Sequence, residues 1–509
     1  NTAFDYFFQN IVDEVVDEAL LPEGSSSDIF IDETLAAGAD VIMTAPAIGW
    51  TPVAQREKKW AFSVAKYGPQ TGDECSFYAP NPPPWCTADS GNGRCDPSVN
   101  TTGFCSPEGL IRGNDPADTS IAIGPSFVSD WVSHVVDRVG DAASGGVRYW
   151  AIDNEPMLWD STHRDVVTAP LTYDELWART LDYSNAIKSV DPSAEVMGPV
   201  VWGWCAYFSS AADAAFPNGS CTDGPDRQAH DGKPLLEWYL EQVCAEETAN
   251  GVRPVDYLDV HIYPQGDVAG LGGASSAEDP TTAARRLRSV RELYDRDWIA
   301  ESWIGEATYL IPRMREWIDA ECPGVQLAVT EYRWGEDDGP SSAIAHAEVL
   351  AVFGREGVDL ATRWVAPEPG SKVEDAFELF LDYDGAGSAV AGDSVRATSD
   401  RPEDLGTYAI ADDGGNLWLV LINRSTASLE AQVGVVGGAT PGTASFYRFD
   451  AASPLALGGS VPVVPGPTAL TLELPARSVT LVEADVPSGL VFSDGFESGD
   501  TSAWSTQLP

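Results

Sequence analysis

Basic residues are scarce in this chain. Thirty Lys and Arg, only six of them Lys, stand against 78 Asp and Glu, for a formal net charge of -48. A field of that sign repels phosphates and anionic lipid, which argues against nucleic-acid or membrane partners and suits a neutral substrate. No run of about 18 apolar residues occurs, so no helix is expected to span a membrane. Histidine is rare as well: there are five, with no HExxH motif and no other close pair. CxxC and Cys/His zinc spacings are absent, so metal-dependent hydrolysis is disfavoured. GxSxG is missing, which argues against an α/β-hydrolase esterase. No GxGxxG or Walker loop lies where a strand meets a helix, so no nucleotide cofactor is implied. Catalysis is expected to need no cofactor. The loop 89–96 (DSGNGRCD) has oxygen donors that would suit a structural calcium, but it lacks EF-hand spacing and reads first as a polar turn.

What is present is a globular composition, 43% hydrophobic and 21% charged. At 509 residues the chain exceeds one ordinary domain. It starts at Asn1 inside what reads as a folded element, consistent with a leader already removed. Eight cysteines fall at Cys75, Cys86, Cys95, Cys105, Cys205, Cys221, Cys244 and Cys322, the first four within a stretch rich in Pro, Gly and Asn. Disulfides pinning a long loop imply an oxidising compartment, hence a secreted protein. The pairing Cys75–Cys86, Cys95–Cys105, Cys205–Cys221 and Cys244–Cys322 is the expectation, although spacing alone does not fix connectivity.

Hydrophobic periodicity alternates along most of the chain. Residues 4–20 place Phe4, Phe8, Ile11, Val15 and Ala19 on one helical face. Strands are expected at 41–46, 61–66, 147–153, 195–201, 257–263, 326–331 and 359–365, with helices at 126–140, 171–190, 234–250, through 280–320 and at 341–357. Short apolar strands between amphipathic helices indicate parallel βα units and a (β/α)8 TIM-like barrel over 1–375. Seven strands are one short of closure. Because the chain opens with a helix, the expected missing strand is the first, supplied by residues before Asn1. From about 380 the pattern becomes short strands between Gly, Pro and Ser turns, an all-β sandwich over 376–486. Residues 487–509 read as a linker-like tail.

Active sites of such barrels lie at the C-terminal ends of the strands. Two acids stand there: Glu155 in Asp153-Asn154-Glu155-Pro156, and Glu331 in Thr330-Glu331-Tyr332. Counting a missing first strand, they end the fourth and seventh strands, on opposite sides of a barrel. Glycoside cleavage needs one carboxyl to protonate the leaving oxygen and another to attack or stabilise the anomeric centre. Any single Glu among 78 acids is by default a solvated charge, so the weight rests on the pair. Trp50, Trp159, Trp202, Trp204, Trp334, Trp364 and Tyr263 cluster near the same ends, as expected of a cleft that packs flat sugar faces on rings, although core packing is the default for any one of them. His261 shares a strand face with Tyr263 and could bind substrate or steady a carboxylate.

The segments YWAIDNEPMLWDSTH (149–163), VMGPVVWGW (196–204), VDYLDVHIYPQ (255–265), VTEYRWG (329–335), ATRWVAP (361–367) and GDSVRATS (392–399) resemble glycoside hydrolase family 44, bacterial endoglucanases and xyloglucanases. The resemblance implies a barrel with a β-sandwich and hydrolysis with retention. It implies Glu155 as acid/base, Glu331 as nucleophile, Asn154 on the sugar 2-hydroxyl, Tyr263 bonded to Glu331, and Trp364 as a sugar platform. The substrate would be a neutral β-linked plant polysaccharide, glucan or xyloglucan first and xylan as a side activity, cut by a secreted monomer. Two departures are visible: the family's N-terminal segment ending in Gly-Gly-Asn is not in this chain, and the cysteine-rich stretch 75–105 is unusual for the family. A hydrolase of a xylan or mannan backbone is the nearest rival, and a non-catalytic carbohydrate-binding protein the rival from another class.

Overall fold

The computed structural model describes residues 26–52, 60–73, 80, 87–215, 221–270, 278–436 and 439–486. The helix expected at 4–20, the Cys75–Cys86 pair and the tail expected from 487 lie outside them. The chain divides into two compact units. The first comprises Asn1–Ile262, Met314–Thr330 and Asp359–Ala361, and the second Tyr263–Arg313, Glu331–Val358 and Thr362–Pro509.

The first unit is built on a six-stranded sheet in simple sequential order: β1 (Ile42–Ala45), β2 (Tyr149–Ile152), β3 (Glu195–Val201), β4 (Tyr257–Ile262), β5 (Gln326–Tyr332) and β6 (Leu360–Ala361). The last two residues of β5 count with the second unit. The pairs β1–β2, β2–β3, β3–β4 and β5–β6 are parallel. Every residue of β2 and β4 is buried, as are the last six of β3. Burial on both faces explains why β2 and most of β3 read as apolar runs, while β4 carries Asp259 and His261 in buried positions. Tyr149, Ala151, Met197, Val200, Tyr257 and Ala328 form one buried cluster on the sheet.

The connections are helical. After α1 (Ser26–Ala36) comes α2 (Val64–Tyr67), where the sequence suggested a strand at 61–66. The alternation there is overridden by capping and packing. Ser63 Oγ accepts the Lys66 amide, and Gly68, at φ 85°, ends the turn with its N–H on the Val64 carbonyl. Phe62 and Tyr67 pack with Cys95 and Ile111. Helix α3 (Pro125–Val139) ends on Gly140. Helix α4 (Tyr173–Val190) starts with a reciprocal capping box between Thr172 and Glu175, a device worth about 1 kcal/mol. Helix α5 (Leu235–Asn250) ends on left-handed Gly251.

The second unit holds α6 (Pro280–Ser289) and α8 (Pro340–Glu356), while α7 (Leu310–Glu321) falls mostly to the first. After α9 (Lys372–Leu381) the chain is all strand: β7 (Asp393–Val395), β8 (Leu405–Ala411), β9 (Asn416–Asn423), β10 (Leu429–Val433), β11 (Gly442–Asp450), β12 (Ala456–Val463), β13 (Leu470–Leu474) and β14 (Ser478–Asp485). Six form an antiparallel sheet in the order β12-β11-β14-β9-β8-β7, and β10 pairs with β13. Leu417, Leu419 and Val482 of the larger sheet share one buried cluster with Leu429, Leu470 and Leu472 of the smaller. Within this unit Glu348 of α8 bonds Tyr408 and Arg424, so a buried carboxylate is matched by a donor and a cation.

Disulfides join Cys95 to Cys105 and Cys205 to Cys221. The expected fourth bridge is not formed: Cys244 and Cys322 are thiols. No helix among the described residues is long and apolar enough to cross a membrane.

Candidate active site

In the first unit Glu155 sits three residues beyond β2. The strand end is pinned by Asp153, whose amide donates to Ala45 O at 2.9 Å and whose carboxylate accepts the amides of Ile48 at 2.7 Å and Asn154 at 2.8 Å. Asp153 and Glu155 both take left-handed backbone, at φ 61° and 45°. That conformation costs a residue with a Cβ about 1–3 kcal/mol and persists only where surrounding contacts enforce it. Here the Glu155 amide donates to Val200 O on β3 at 3.0 Å, and Pro156 opens the 3-10 turn Pro156–Leu158. The double reversal turns the Glu155 carboxyl towards β4, where its Oε1 lies 2.9 Å from His261 Nδ1. The imidazole is 1% exposed and the carboxyl 17%. An ionised carboxylate can only accept, so in that state Nδ1 carries the proton. The Tyr207 hydroxyl donates to the His261 carbonyl at 2.5 Å, fixing the strand beneath the ring.

Asp259 stands two residues before His261, on the same face of β4. It is fully buried, and its Oδ1 accepts Thr330 Oγ1 at 2.7 Å and the Thr330 amide at 3.3 Å. Its Oδ2 has no hydrogen-bond partner among the described residues. Burial pushes this carboxyl up to about 6, against the opposing pull of His261 and the Thr330 bonds. Thr330 immediately precedes Glu331, so Asp259 ties β4 to the residue before that acid. The alternation 259, 261, 263 made this placement legible, yet sequence reading passed over Asp259.

In the second unit the Tyr263 hydroxyl donates to Glu331 Oε2 at 2.7 Å. The Trp364 amide donates to the carbonyl of Tyr332, the next residue, at 3.1 Å, and the Trp364 side chain is 45% exposed. His346, on α8, is buried. It accepts Arg363 Nε at 3.0 Å, and burial beside that guanidinium holds its pKa down to about 3, so the ring is neutral and structural.

Three tryptophans placed in the cleft by their strand-end positions are instead buried: Trp159, Trp204 and Trp334. The Trp159 indole N–H donates to Asn154 O at 3.1 Å, and Arg179 covers its ring. Trp204 packs edge-on against Phe208, and Trp334 donates to Ser289 Oγ at 3.1 Å. Buried rings of this kind, two of them with their N–H groups bonded, pack as core within their own units. Trp50 is half-buried in a short antiparallel pair with Ala122, and Asn154 is half-buried beside Glu155. Strand-end position locates a Cα but does not say which way a ring turns.

As for cation ligands, Cys244, Glu247 and Cys322 bring one donor atom each within 4.8 Å of one another, although Arg253 Nε already donates to Glu247 at 2.8 Å. In the loop 89–96 the Asp89 carboxylate accepts Ser63 Oγ and the Ala65 amide, and Asp96 accepts Ser98, so both acids serve turns.

Known proteins share this arrangement of chain. Endoglucanase A of Paenibacillus lautus is 33% identical over 315 residues, 59% of this chain. The chain spans 43% and 25% of the lengths of the two curated relatives it matches. Among solved structures, a bifunctional glucanase-xylanase from a metagenome library, CelM2, superposes with a TM-score of 0.84 at 35% identity, covering 95% of this chain and 88% of that one. A family 44 xyloglucanase of Paenibacillus polymyxa, solved with xyloglucan, gives a TM-score of 0.68 at 25% identity, covering 91% and 84%. The model of glycoside hydrolase family 44 matches residues 1–266, more than half of the 509, and the chain therefore belongs to glycoside hydrolase family 44.

Proposed function

We propose that this chain is a retaining endo-β-1,4-glucanase that cuts cellulose-type glucans and xyloglucan, with xylan as a side activity. Glu331 is the nucleophile and Glu155 the acid/base. The observation that carries the reading is the partnering of the two acids. Glu155 is held by His261 and Glu331 by Tyr263, and those two partners stand two positions apart on one segment of chain. Neutral sugar binding does not require two carboxylates held this way, whereas double displacement does. That disfavours the binding-protein alternative.

In this mechanism Glu331 attacks the anomeric carbon while protonated Glu155 gives its proton to the leaving oxygen. Water then enters on the Glu155 side, loses its proton to the now ionised carboxylate, and releases the sugar with net retention. His261 donates to Glu155 in the ionised step, and Tyr263 orients Glu331 for attack. Retention calls for carboxyls about 5–5.5 Å apart, inversion for about 6.5–9.5 Å. Asn154 takes the 2-hydroxyl and Trp364 a sugar face. The parallel sheet is read as part of a (β/α)8 barrel over 1–375, followed by a β-sandwich over 376–486 and a linker-like tail. The disulfides support a secreted location, and the net charge a neutral polysaccharide. Substrate choice is supported by what the relatives are named for: endoglucanase, glucanase-xylanase and xyloglucanase.

Reducing-sugar release from carboxymethyl cellulose, xyloglucan, xylan and mannan, wild type beside Glu331→Ala, tests this. Activity on glucans that vanishes in the variant is the expected result. Release from mannan alone, or equal activity in the variant, overturns it.

A further inference from the structure

Asp259 is a buried acid whose hydrogen bonds do not account for its charge. It lies on β4, all of whose residues are buried, and is itself 0% exposed. Its two oxygens are placed unequally. Oδ1 accepts the Thr330 hydroxyl at 2.7 Å and the Thr330 amide at 3.3 Å. Oδ2 is buried with no hydrogen-bond partner among the described residues. A buried carboxyl oxygen without a donor is costly, and native structures keep few such groups. Thr330 needs only an acceptor, which a neutral asparagine would supply without burying a charge.

The charge has a neighbour. His261 stands two residues along β4 on the same face, and the two groups attract. The Tyr239 hydroxyl of α5 also feels the Asp259 charge. Burial lifts the carboxyl to about 6 against the pull of His261, so at pH 7 it is largely ionised. His261 Nδ1 in turn lies 2.9 Å from Glu155 Oε1. Carboxylate, imidazole and carboxyl thus form a series, all of it within the first unit.

We infer that Asp259 is a positioning residue for the acid step: its carboxylate supports positive charge on His261 as Glu155 gives up its proton, and so stabilises the Glu155 carboxylate that forms. The inference rests on the proposed reading of Glu155. In that step the bond from the anomeric carbon to the leaving oxygen breaks, and that oxygen takes the Glu155 proton. Glu155 keeps the electron pair and becomes an anion, which the His261 Nδ1–H meets. A hydrogen bond between charged partners is roughly twice as strong as a neutral one. Asp259 keeps its own charge throughout, so no proton travels along the series.

The test compares wild type, Asp259→Asn, His261→Phe, their double variant and Glu155→Gln on phenyl and dinitrophenyl β-cellobiosides at pH 7. Phenol leaves only with a proton supplied, whereas dinitrophenolate leaves without one. Asp259→Asn should lower kcat/KM about tenfold on the phenyl glycoside and by no more than about twofold on the other. Its Tm at pH 7 should be no lower than wild type, because a buried charge has gone while Thr330 keeps its acceptor. In the His261→Phe background the substitution should add no further loss. Unchanged rates in Asp259→Asn overturn the inference. Equal losses on both glycosides with a lowered Tm also overturn it, because they mark a structural role. A full further loss in the His261→Phe background overturns it too, since the effect then bypasses His261. All three outcomes leave the proposed function standing. Equal losses on the two glycosides in Glu155→Gln overturn the reading of Glu155 as the acid, and this inference with it.

Discussion

His261 Nδ1 and Glu155 Oε1 lie 2.9 Å apart, with the imidazole almost wholly buried and the carboxyl open at one edge. A buried ring against a partly exposed carboxyl fixes where the acid points. Replacing His261 with Phe keeps a ring in the space and removes the donor. A hydrogen bond to a charged group is worth about 1.5–3 kcal/mol, so kcat should fall about 10- to 150-fold with KM little changed. Steady-state kinetics on a soluble glucan measure this, and a rise in KM at constant kcat would count against a positioning role.

Tyr263 stands to Glu331 as His261 does to Glu155, through a 2.7 Å bond. Tyr263→Phe deletes one oxygen. The expected loss in kcat is about tenfold or more, with thermal stability close to wild type because the ring remains. A variant as active as wild type would mean that Glu331 is oriented by other contacts.

Two buried carboxyls give stability a definite pH dependence. Burial raises Glu292 to about 8, with Glu301 adding to the shift, and Asp259 to about 6. Both values lie above those of the unfolded chain, so the folded state binds protons more readily. These groups therefore favour the fold at low pH, and that contribution is lost as pH rises from about 4.5 through 8 for Glu292 and from about 4 through 6 for Asp259. Glu292→Gln should raise Tm relative to wild type at pH 8 to 9, with the gap closing by about pH 5. Thermal unfolding at the two pH values checks it, and a Tm lowered equally at both would show that the glutamate is needed for its contacts.

The cysteines divide into two kinds. Cys205–Cys221 ties the short helix Trp204–Phe208 to the chain sixteen residues on, and a bridge over such a loop contributes about 3 kcal/mol. Cys205→Ser should lower Tm by several degrees. Cys322 is a buried thiol pushed up to about 12, chiefly by burial and secondly by Cys244. Native protein treated with iodoacetamide near pH 8 should leave Cys322 unmodified, since the thiolate is the reactive form. Peptide mass mapping reads this, and rapid labelling there would contradict the burial.

Much of the parallel architecture was legible because β2, β3 and β4 are short, buried and mostly apolar, with helices between them. The positions of the two candidate acids were legible because a proline and a strand end mark Glu155, and a strand end marks Glu331. Three things were not. The segment 61–66 alternates like a strand, but its Ser63 and Gly68 caps and its packing on Cys95 make a short helix. The rings of Trp159, Trp204 and Trp334 turn inward, a choice made by side-chain packing that no spacing encodes. Asp259 is tied to Thr330, and that bond links residues 71 apart, so only the folded chain puts them together.

The most direct test of the central claim is to trap the reaction halfway. A 2-deoxy-2-fluoro glycoside of a glucose disaccharide with a good leaving group slows both steps, and the second more, so a retaining enzyme accumulates its glycosyl-enzyme. Mass spectrometry of the intact protein should show one added 2-deoxy-2-fluoro disaccharide, and peptide fragmentation should place it on Glu331. An adduct on another residue, or full turnover with an inverted product and no adduct, would contradict the assignment of Glu331 as nucleophile.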